Sequence, residues 1–216
     1  MLKLALAKKE GAFKILCLGA HSDDIEIGCG GTILRWLDEY ASTEVYWVVL
    51  GASGERTAEA IRSAELFLAN AGKKEVVVKD FRDGYFPYVG AEIKDFFEDL
   101  KQRYSPDIVL THCREDMHQD HRLISELTWN TFRNHLILEY EVVKYEGDLG
   151  APNFFVHLTD ATARRKIRAL LECFPSQRDK SWFTEDTFSS ILRLRGIECR
   201  APSGFAEAFR GRKLVI

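Results

Sequence analysis

Residues 13–32, FKILCLGAHSDDIEIGCGGT, decide the fold of this chain. Residues 13–20 are an apolar run of strand length, residues 21–24 are polar, and the glycine-rich remainder has the character of a helix start. A buried strand that leads through a short polar turn into a helix is typical of α/β proteins.

The rest of the chain alternates in the same way. Further apolar runs of strand length lie at residues 44–50, 75–79, 107–111, 139–145 and 152–158. Stretches with the helical period lie at residues 60–71, 95–104, 161–173 and 185–196. This order predicts an α/β fold with a Rossmann-like, mostly parallel sheet, helices on both faces, and a site at the carboxyl ends of the strands.

The composition is that of a soluble globular protein, with 46% hydrophobic and 29% charged residues among 216. The sequence has no internal repeat, low-complexity tract or long linker, so residues 1–216 are predicted to form a single domain. The formal net charge of −3 gives no reason to expect nucleic acid as a partner, because phosphate binding needs a basic face.

Cysteine usage and the N-terminal residues indicate the compartment. The five cysteines are scattered and form no C-x-x-C pair, which favours reduced core thiols over a disulfide framework or a cysteine-based zinc site. Lysines interrupt the apolar residues near the N-terminus, so we expect neither a signal peptide nor a membrane span. A cytoplasmic location is therefore expected.

Two polar clusters follow strand ends. Residues 21–24, HSDD, come directly after the first strand, and residues 112–121, HCREDMHQDH, follow the strand at 107–111. Histidines in a polar loop are common without a metal, but both clusters stand where α/β proteins place their ligands. If the two strands are neighbours, the clusters converge. Two imidazoles and one carboxylate with an open fourth position are typical of catalytic zinc.

The paired motifs resemble those of the PIG-L or LmbE-type family of zinc-dependent N-acetylglucosaminyl deacetylases. The first motif, H-x-D-D-x-E-x-G-x-G-G-T, is matched by His21, Asp23, Asp24, Glu26, Gly28, Gly30, Gly31 and Thr32. The second, H-x-D-H, is matched by His118, Asp120 and His121. GER at residues 54–56 and RDG at residues 82–84 also fit, whereas SQ at 176–177 and AEAF at 206–209 match more loosely.

The resemblance implies a metal site and an activity. The implied ligands of Zn²⁺, or of another divalent metal, are His21, Asp24 and His121. The implied enzyme is a zinc-dependent N-deacetylase, a hydrolase of linear amide bonds that removes the acetyl group from an N-acetylglucosamine-type amino sugar or its conjugate. Ser22 stands where the family usually has proline, and we expect little chemical consequence.

The resemblance also implies catalytic roles. Asp23 would be the general base for the attacking water and would return the proton to the departing amine. His118 would be a protonated imidazole that stabilises the oxyanion, with Asp120 or Asp116 keeping it charged. Of the two adjacent aspartates, Asp24 would thus bind the metal and Asp23 would transfer protons. Of the two histidines of the second motif, His121 would bind the metal and His118 would stabilise the oxyanion.

Three further residues are candidates for substrate binding. Arg56, Arg82 and Asp83 follow the second and third strands and could hydrogen-bond sugar hydroxyls, although a surface ion pair explains them equally well. The glycines at 28–31 lack the G-x-G-x-x-G spacing and predict tight packing at a helix start. His112 either supports the site or merely ends a strand.

Two other functions stay open at this point. One is a zinc amidase that acts on a thiol conjugate, and the other is a carbohydrate-binding relative without turnover. The expected partner is a small-molecule amino-sugar substrate, and association into a homo-oligomer is left open.

Overall fold

The computed structural model describes residues 11–40 and 42–215. The strands are β1 Lys14–His21, β2 Glu44–Gly51, β3 Lys73–Val78, β4 Ile108–His112, β5 Leu136–Tyr140, β6 Phe154–Leu158 and β7 Phe205–Gly211. The α-helices are α1 Asp24–Glu39, α2 Glu55–Phe67, α3 Gly90–Arg103, α4 Gln119–Thr131, α5 Asp160–Cys173 and α6 Glu185–Glu198. The expectation about the N-terminal leader concerns residues 1–10, which lie outside the described residues.

One seven-stranded sheet has the order β3-β2-β1-β4-β5-β7-β6. The strands from β3 to β5 are parallel, and β7 runs antiparallel to both of its neighbours. The predicted mostly parallel α/β sheet is thus confirmed. From β1 the chain continues to β2 on one side and reaches β4 on the other, so a crevice opens at the carboxyl ends of β1 and β4, where α/β proteins bind ligands.

Both faces of the sheet are covered by helices. Alternate residues of β2 point to opposite faces, so Trp47 packs into one apolar core and Val48 into the other. Helices α1, α2, α5 and α6 contribute to the first core, and α3 and α4 contribute to the second. The central strands β1, β2 and β4 are near-continuous apolar runs because they are buried on both sides.

The predicted strand at 139–145 is displaced, since β5 covers Leu136–Tyr140. Tyr140 is paired with His112, the last residue of β4, so β5 has no parallel partner beyond it. Residues 141–153 therefore form a loop. Helix α4 and strand β7 were not predicted, because polar side chains such as Ser125, Thr128 and Glu207 occupy buried positions and conceal the apolar periodicity.

All five cysteines are buried and free, in keeping with the expected core thiols. Within residues 11–40 and 42–215, no helix combines the length and apolar character needed to cross a membrane.

The glycines of α1 let the helix pack closely on its neighbours. A Cβ at Gly28 would overlap the ring of Tyr140, and one at Gly30 would lie 2.6 Å from the ring of Phe67. The prediction of tight packing at these glycines is confirmed. Because Tyr140 also contacts His112, this packing lies directly beneath the polar cluster at the end of β4.

We expect Gly28→Ala to destabilise the protein by about 1–3 kcal/mol or more, the usual cost of overpacking a rigid core. Gly90→Ala is the matched control, because its Cβ would meet nothing nearer than Leu123 at 3.8 Å and it stands in the first turn of α3. The control should be neutral or stabilising by up to about 1 kcal/mol. Urea denaturation measures both, and equal stabilities of the two variants would contradict the packing argument.

Candidate functional site

The two polar clusters meet at the carboxyl ends of β1 and β4. These strands are hydrogen-bonded neighbours, with Ile15 opposite Ile108 and Cys17 opposite Leu110. His21 ends β1 and His121 lies in the first turn of α4. Nδ1 of His21 lies 3.2 Å from Nε2 of His121, so residues one hundred positions apart in the chain come into contact.

His21, Asp24 and His121 form a triangle of side chains that can ligate a metal. Nδ1 of His21 is 3.4 Å from Oδ2 of Asp24, and Nε2 of His121 is 3.5 Å from Oδ1 of Asp24, beside the 3.2 Å between the two histidines. Ligand atoms about 2.0–2.1 Å from a tetrahedral zinc ion lie about 3.3 Å from one another. The three distances are of this size, with Oδ2 of Asp24 facing His21 and Oδ1 facing His121. Two imidazoles and one carboxylate are a donor set that fits zinc.

Each histidine of the triangle has a carboxylate on its other ring nitrogen. Nε2 of His21 lies 3.1 Å from Oδ2 of Asp120, and Nδ1 of His121 lies 2.9 Å from Oδ2 of Asp116. Partners of this kind fix the tautomer and the orientation of a ligating imidazole. Burial alone would lower the pKa of His21, but its hydrogen bonds with Asp120 and Asp24 raise that pKa well above its ordinary value.

Asp120 is buried beneath the site and holds the loop that follows β3. Its carboxylate accepts hydrogen bonds from the backbone N–H of Gly84, at 2.7 Å, and of Phe86, at 3.1 Å. Together with the contact to His21, these bonds connect the β3 loop to the first polar cluster.

An oxygen of Asp120 lies within 4.8 Å of a ring nitrogen of His118, so Asp120 stays the carboxylate expected near this ring. His118 is the N-cap of α4, and its Nδ1 accepts a hydrogen bond from the backbone N–H of Asp120 at 3.3 Å. Asp116 instead accepts from the backbone N–H of His118 at 2.8 Å. With Nδ1 engaged by this amide, Nε2 is the ring nitrogen left to donate a hydrogen bond.

Other histidines lie close enough to be considered as ligands. Ring nitrogens of His21, His118 and His121 lie within 4.8 Å of one another, and so do ligand atoms of Asp24, His112 and His121. Nε2 of His112 accepts a hydrogen bond from the backbone N–H of Ala20 at 2.9 Å, so this lone pair is already engaged. Burial lowers the pKa of His112 to about 4. His112 therefore supports the site as a neutral ring.

The adjacent aspartates have opposite environments. Burial and the charge of Asp24 raise the pKa of Asp23, and Arg56, with Nη2 3.4 Å from Oδ1 of Asp23, opposes this shift. Burial would also raise the pKa of Asp24, but the charge of His121 holds it well below its ordinary value. Neighbouring carboxyl groups whose pKa values are driven apart are suited to different roles.

Arg56 and Asp83 lie at the mouth of the site. Nη1 of Arg56 lies 3.5 Å from Oδ2 of Asp83, and Oδ1 of Asp83 lies 3.0 Å from Nε2 of His21. This hydrogen bond to His21 lowers the pKa of Asp83 to about 2. Arg82, by contrast, is exposed and stacks on the ring of Tyr85 at 3.7 Å.

Ser22 makes a contact that its place in the motif did not indicate. It is fully buried, and its hydroxyl accepts a hydrogen bond from Nε of Arg56 at 3.0 Å. Proline has no side-chain oxygen, so the residue usual in the family could not hold Arg56 in this way.

Sequence reasoning missed Lys144 entirely. Its ammonium group lies 3.0 Å from Oδ2 of Asp116, the carboxylate that contacts His121. Lys144 stands in the loop after β5 and belongs to no motif, so no pattern in the sequence connects it with the site.

Fold and site together define an α/β protein with a candidate metal centre at the point where the strand order reverses. The chain belongs to the PIG-L family: the family model described as GlcNAc-PI de-N-acetylase matches residues 16–132. A comparison with curated proteins found no match.

Solved structures share this fold. N,N′-diacetylchitobiose deacetylase from Pyrococcus horikoshii has 24% identity and a TM-score of 0.65, over 93% of this chain and 84% of that one. 4-Carboxy-2-hydroxymuconate hydratase from Pseudomonas putida KT2440 has 19% identity and a TM-score of 0.71, over 94% and 98%. A zinc-inhibited form of teicoplanin deacetylase has 14% identity and a TM-score of 0.70, over 92% and 97%. At these identities the likeness concerns the fold.

Proposed function

We propose that this protein is a zinc-dependent N-deacetylase that removes the acetyl group from an N-acetylglucosamine-type amino sugar or its conjugate. The observation that carries the proposal is the triangle of His21, Asp24 and His121, in which each pair of side chains has polar atoms 3.2–3.5 Å apart. Membership of a family described as a de-N-acetylase supports the reaction, and deacetylases among the similar structures agree with it.

His21, Asp24 and His121 would hold the zinc ion and leave one position open. When bound in such a site, zinc lowers the pKa of a water molecule towards about 7 and polarises an amide carbonyl. The second nitrogens of both histidines are engaged by Asp120 and Asp116, so the lone pairs that face the triangle are Nδ1 of His21 and Nε2 of His121.

Asp23 is the proposed general base and acid. It is 4% exposed and adjacent to Asp24, yet its carboxylate faces Arg56 instead of the histidines. Burial and Asp24 keep its pKa raised, which suits a group that accepts a proton from water and then returns it to the departing amine. Arg56 limits the shift and orients the carboxylate.

His118 is the proposed oxyanion donor. Because its Nδ1 accepts from the N–H of Asp120, its Nε2–H is available to donate to the oxygen on which negative charge develops. Its place as the N-cap of α4 holds the ring in position.

Arg56 and Asp83 are the proposed contacts for sugar hydroxyls. Both lie beside the triangle, and the side chain of Asp83 is 57% exposed. Arg56 can donate hydrogen bonds to the hydroxyl groups, and Asp83 can accept them. Arg82 stacks on Tyr85, so we assign it to the outer rim. We also infer a cytoplasmic location, because five free thiols persist in a reducing compartment.

The proposal is tested with zinc-loaded protein and a panel of N-acetylglucosamine derivatives. We expect release of one acetate per substrate, detected by mass spectrometry as loss of the acetyl group, and no release after treatment with a chelator. The panel should include an amide-linked thiol conjugate and an unsaturated hydroxy acid. Turnover of the conjugate alone would favour the amidase, and hydration of the acid without any amide hydrolysis would contradict the proposed reaction, since a hydratase shares this fold.

A further inference from the structure

Lys144 and Asp148 connect the loop after β5 to the candidate metal centre. Nζ of Lys144 lies 3.0 Å from Oδ2 of Asp116 and 2.6 Å from Oδ2 of Asp148. The side chains of all three residues are at most 8% exposed. Such an ion network, shielded from water, is held far more firmly than a surface pair.

The network ends on a proposed ligand. The same oxygen of Asp116 that binds Lys144 also lies 2.9 Å from Nδ1 of His121. The other oxygen of Asp116 accepts from the backbone N–H of His118 at 2.8 Å. Both oxygens of Asp116 are thereby fixed, and the ring of His121 is fixed with them.

Asp148 fastens the network from the opposite side. Its Oδ2 accepts a hydrogen bond from the backbone N–H of Met117 at 2.7 Å, in addition to its contact with Lys144. Met117 and Asp116 belong to the loop between β4 and α4, so this loop and the loop after β5 are joined at two points. Burial alone would lower the pKa of Lys144, but the hydrogen bond with Asp148 and the charge of Asp116 raise it, so the side chain is an ammonium group.

We propose that Lys144 is a positioning residue that acts on His121 through Asp116. By holding Oδ2 of Asp116 against Nδ1 of His121, it keeps the proton of the imidazole on Nδ1 and directs the lone pair of Nε2 towards His21 and Asp24. The proposal rests on His121 being a metal ligand, as the proposed function requires. Lys144 belongs to no sequence motif, and it reaches the site because of the path of the loop after β5.

The test is the affinity of the protein for zinc, measured by competition with a chromophoric chelator. Lys144→Met keeps the length and the apolar stem of the side chain but removes the charge. We expect zinc affinity to fall about 10- to 100-fold, the usual effect of losing a group that orients a ligand. Lys144→Arg should recover most of the affinity, because it restores the charge-assisted contact to Asp116.

Lys74→Met is the matched control. It removes the same charge from a lysine that pairs with Glu65 on the surface, away from the site, so zinc affinity should not change. A double-mutant comparison adds the sharper evidence: in an Asp116→Asn background, Lys144→Met should have little further effect, because the group it acts through is already lost. If Lys144→Met does not fold, Asp148→Asn takes its place, since it loosens Lys144 and retains an acceptor for the Met117 amide.

The outcomes separate this inference from the proposed function. A parent protein that binds zinc, with a Lys144→Met affinity equal to that of the parent, would overturn the role of Lys144 and leave the deacetylase proposal standing. Additive losses in the Asp116→Asn background would also overturn it, because Lys144 would then act by another route. A parent protein that binds no divalent metal would overturn both.

Discussion

Asp24→Ala is expected to lose its metal and with it all measurable amide hydrolysis. The substitution removes one of only three proposed protein ligands, so zinc affinity should fall by more than the roughly 10- to 100-fold that the loss of a mere orienting group costs. After dialysis against metal-free buffer, elemental analysis should find close to one zinc per chain in the parent protein and almost none in the variant. The sheet should stay folded, because both apolar cores lie beneath the site.

His118→Ala is the variant that distinguishes between two possible sets of metal ligands. Ring nitrogens of His21, His118 and His121 are close enough to form an alternative ligand set without Asp24. If His118 is the oxyanion donor, its variant should keep zinc at the level of the parent protein and lose about 10²- to 10³-fold in kcat, as when an oxyanion donor is removed. A His118→Ala protein without metal, beside an Asp24→Ala protein that retains it, would identify the three histidines as the ligands.

The sequence was sufficient to predict those parts of the site that directly follow a strand end in the chain. The strand–HSDD–helix order places His21 and Asp24 at the carboxyl edge of a parallel sheet, whatever the details of the fold. The meeting with His121 depended on β1 and β4 being neighbours, which the sheet order provides. Two short local patterns therefore predicted that these three side chains come together. Their role as metal ligands stays a prediction.

The direction of each side chain in the second cluster could not be predicted in the same way. Successive residues of a helix point about 100° apart, so Asp120 and His121 face different neighbours although they are adjacent. Asp120 turns to His21 and the β3 loop, whereas His121 turns to Asp24 and Asp116. The motif H-x-D-H shows which residues are present, but the start of α4 at Gln119 decides which of them contact each other.

Contacts from loops were beyond sequence reasoning. Lys144 reaches Asp116 because β5 ends at Tyr140, where its parallel partner β4 ends, and a strand to residue 145 would have carried Lys144 elsewhere. The hydrogen bond from Arg56 to Ser22 depends on the start of α2 lying beside the first polar cluster. Neither residue forms a pattern with its partner, so only the folded chain reveals the contact.

Asp23→Asn is expected to keep its metal and lose catalysis. Asparagine has nearly the same shape and can still accept a hydrogen bond from Arg56, but its amide cannot take a proton from water at neutral pH. The zinc content should equal that of the parent protein, because Asp23 contacts Arg56 and is not one of the three proposed ligands. We expect kcat to fall at least about 10²-fold, the lower limit of typical general acid–base effects, and further because one group serves in both steps.

Asp83→Asn is the control for Asp23→Asn, since it also removes one carboxylate charge that faces Arg56. Asp83 lies at the mouth with an exposed side chain, so its loss should raise KM for the sugar more than it lowers kcat. Steady-state kinetics gives kcat and KM of each variant, and elemental analysis of the same samples gives its zinc content. If Asp23→Asn loses zinc while Asp24→Ala retains it, the two aspartates have exchanged roles. If Asp23→Asn keeps both zinc and full kcat, the proton acceptor is another group. The two carboxylates are chemically identical and adjacent in the chain, so only their directions, one towards Arg56 and one towards the histidines, can make their variants differ.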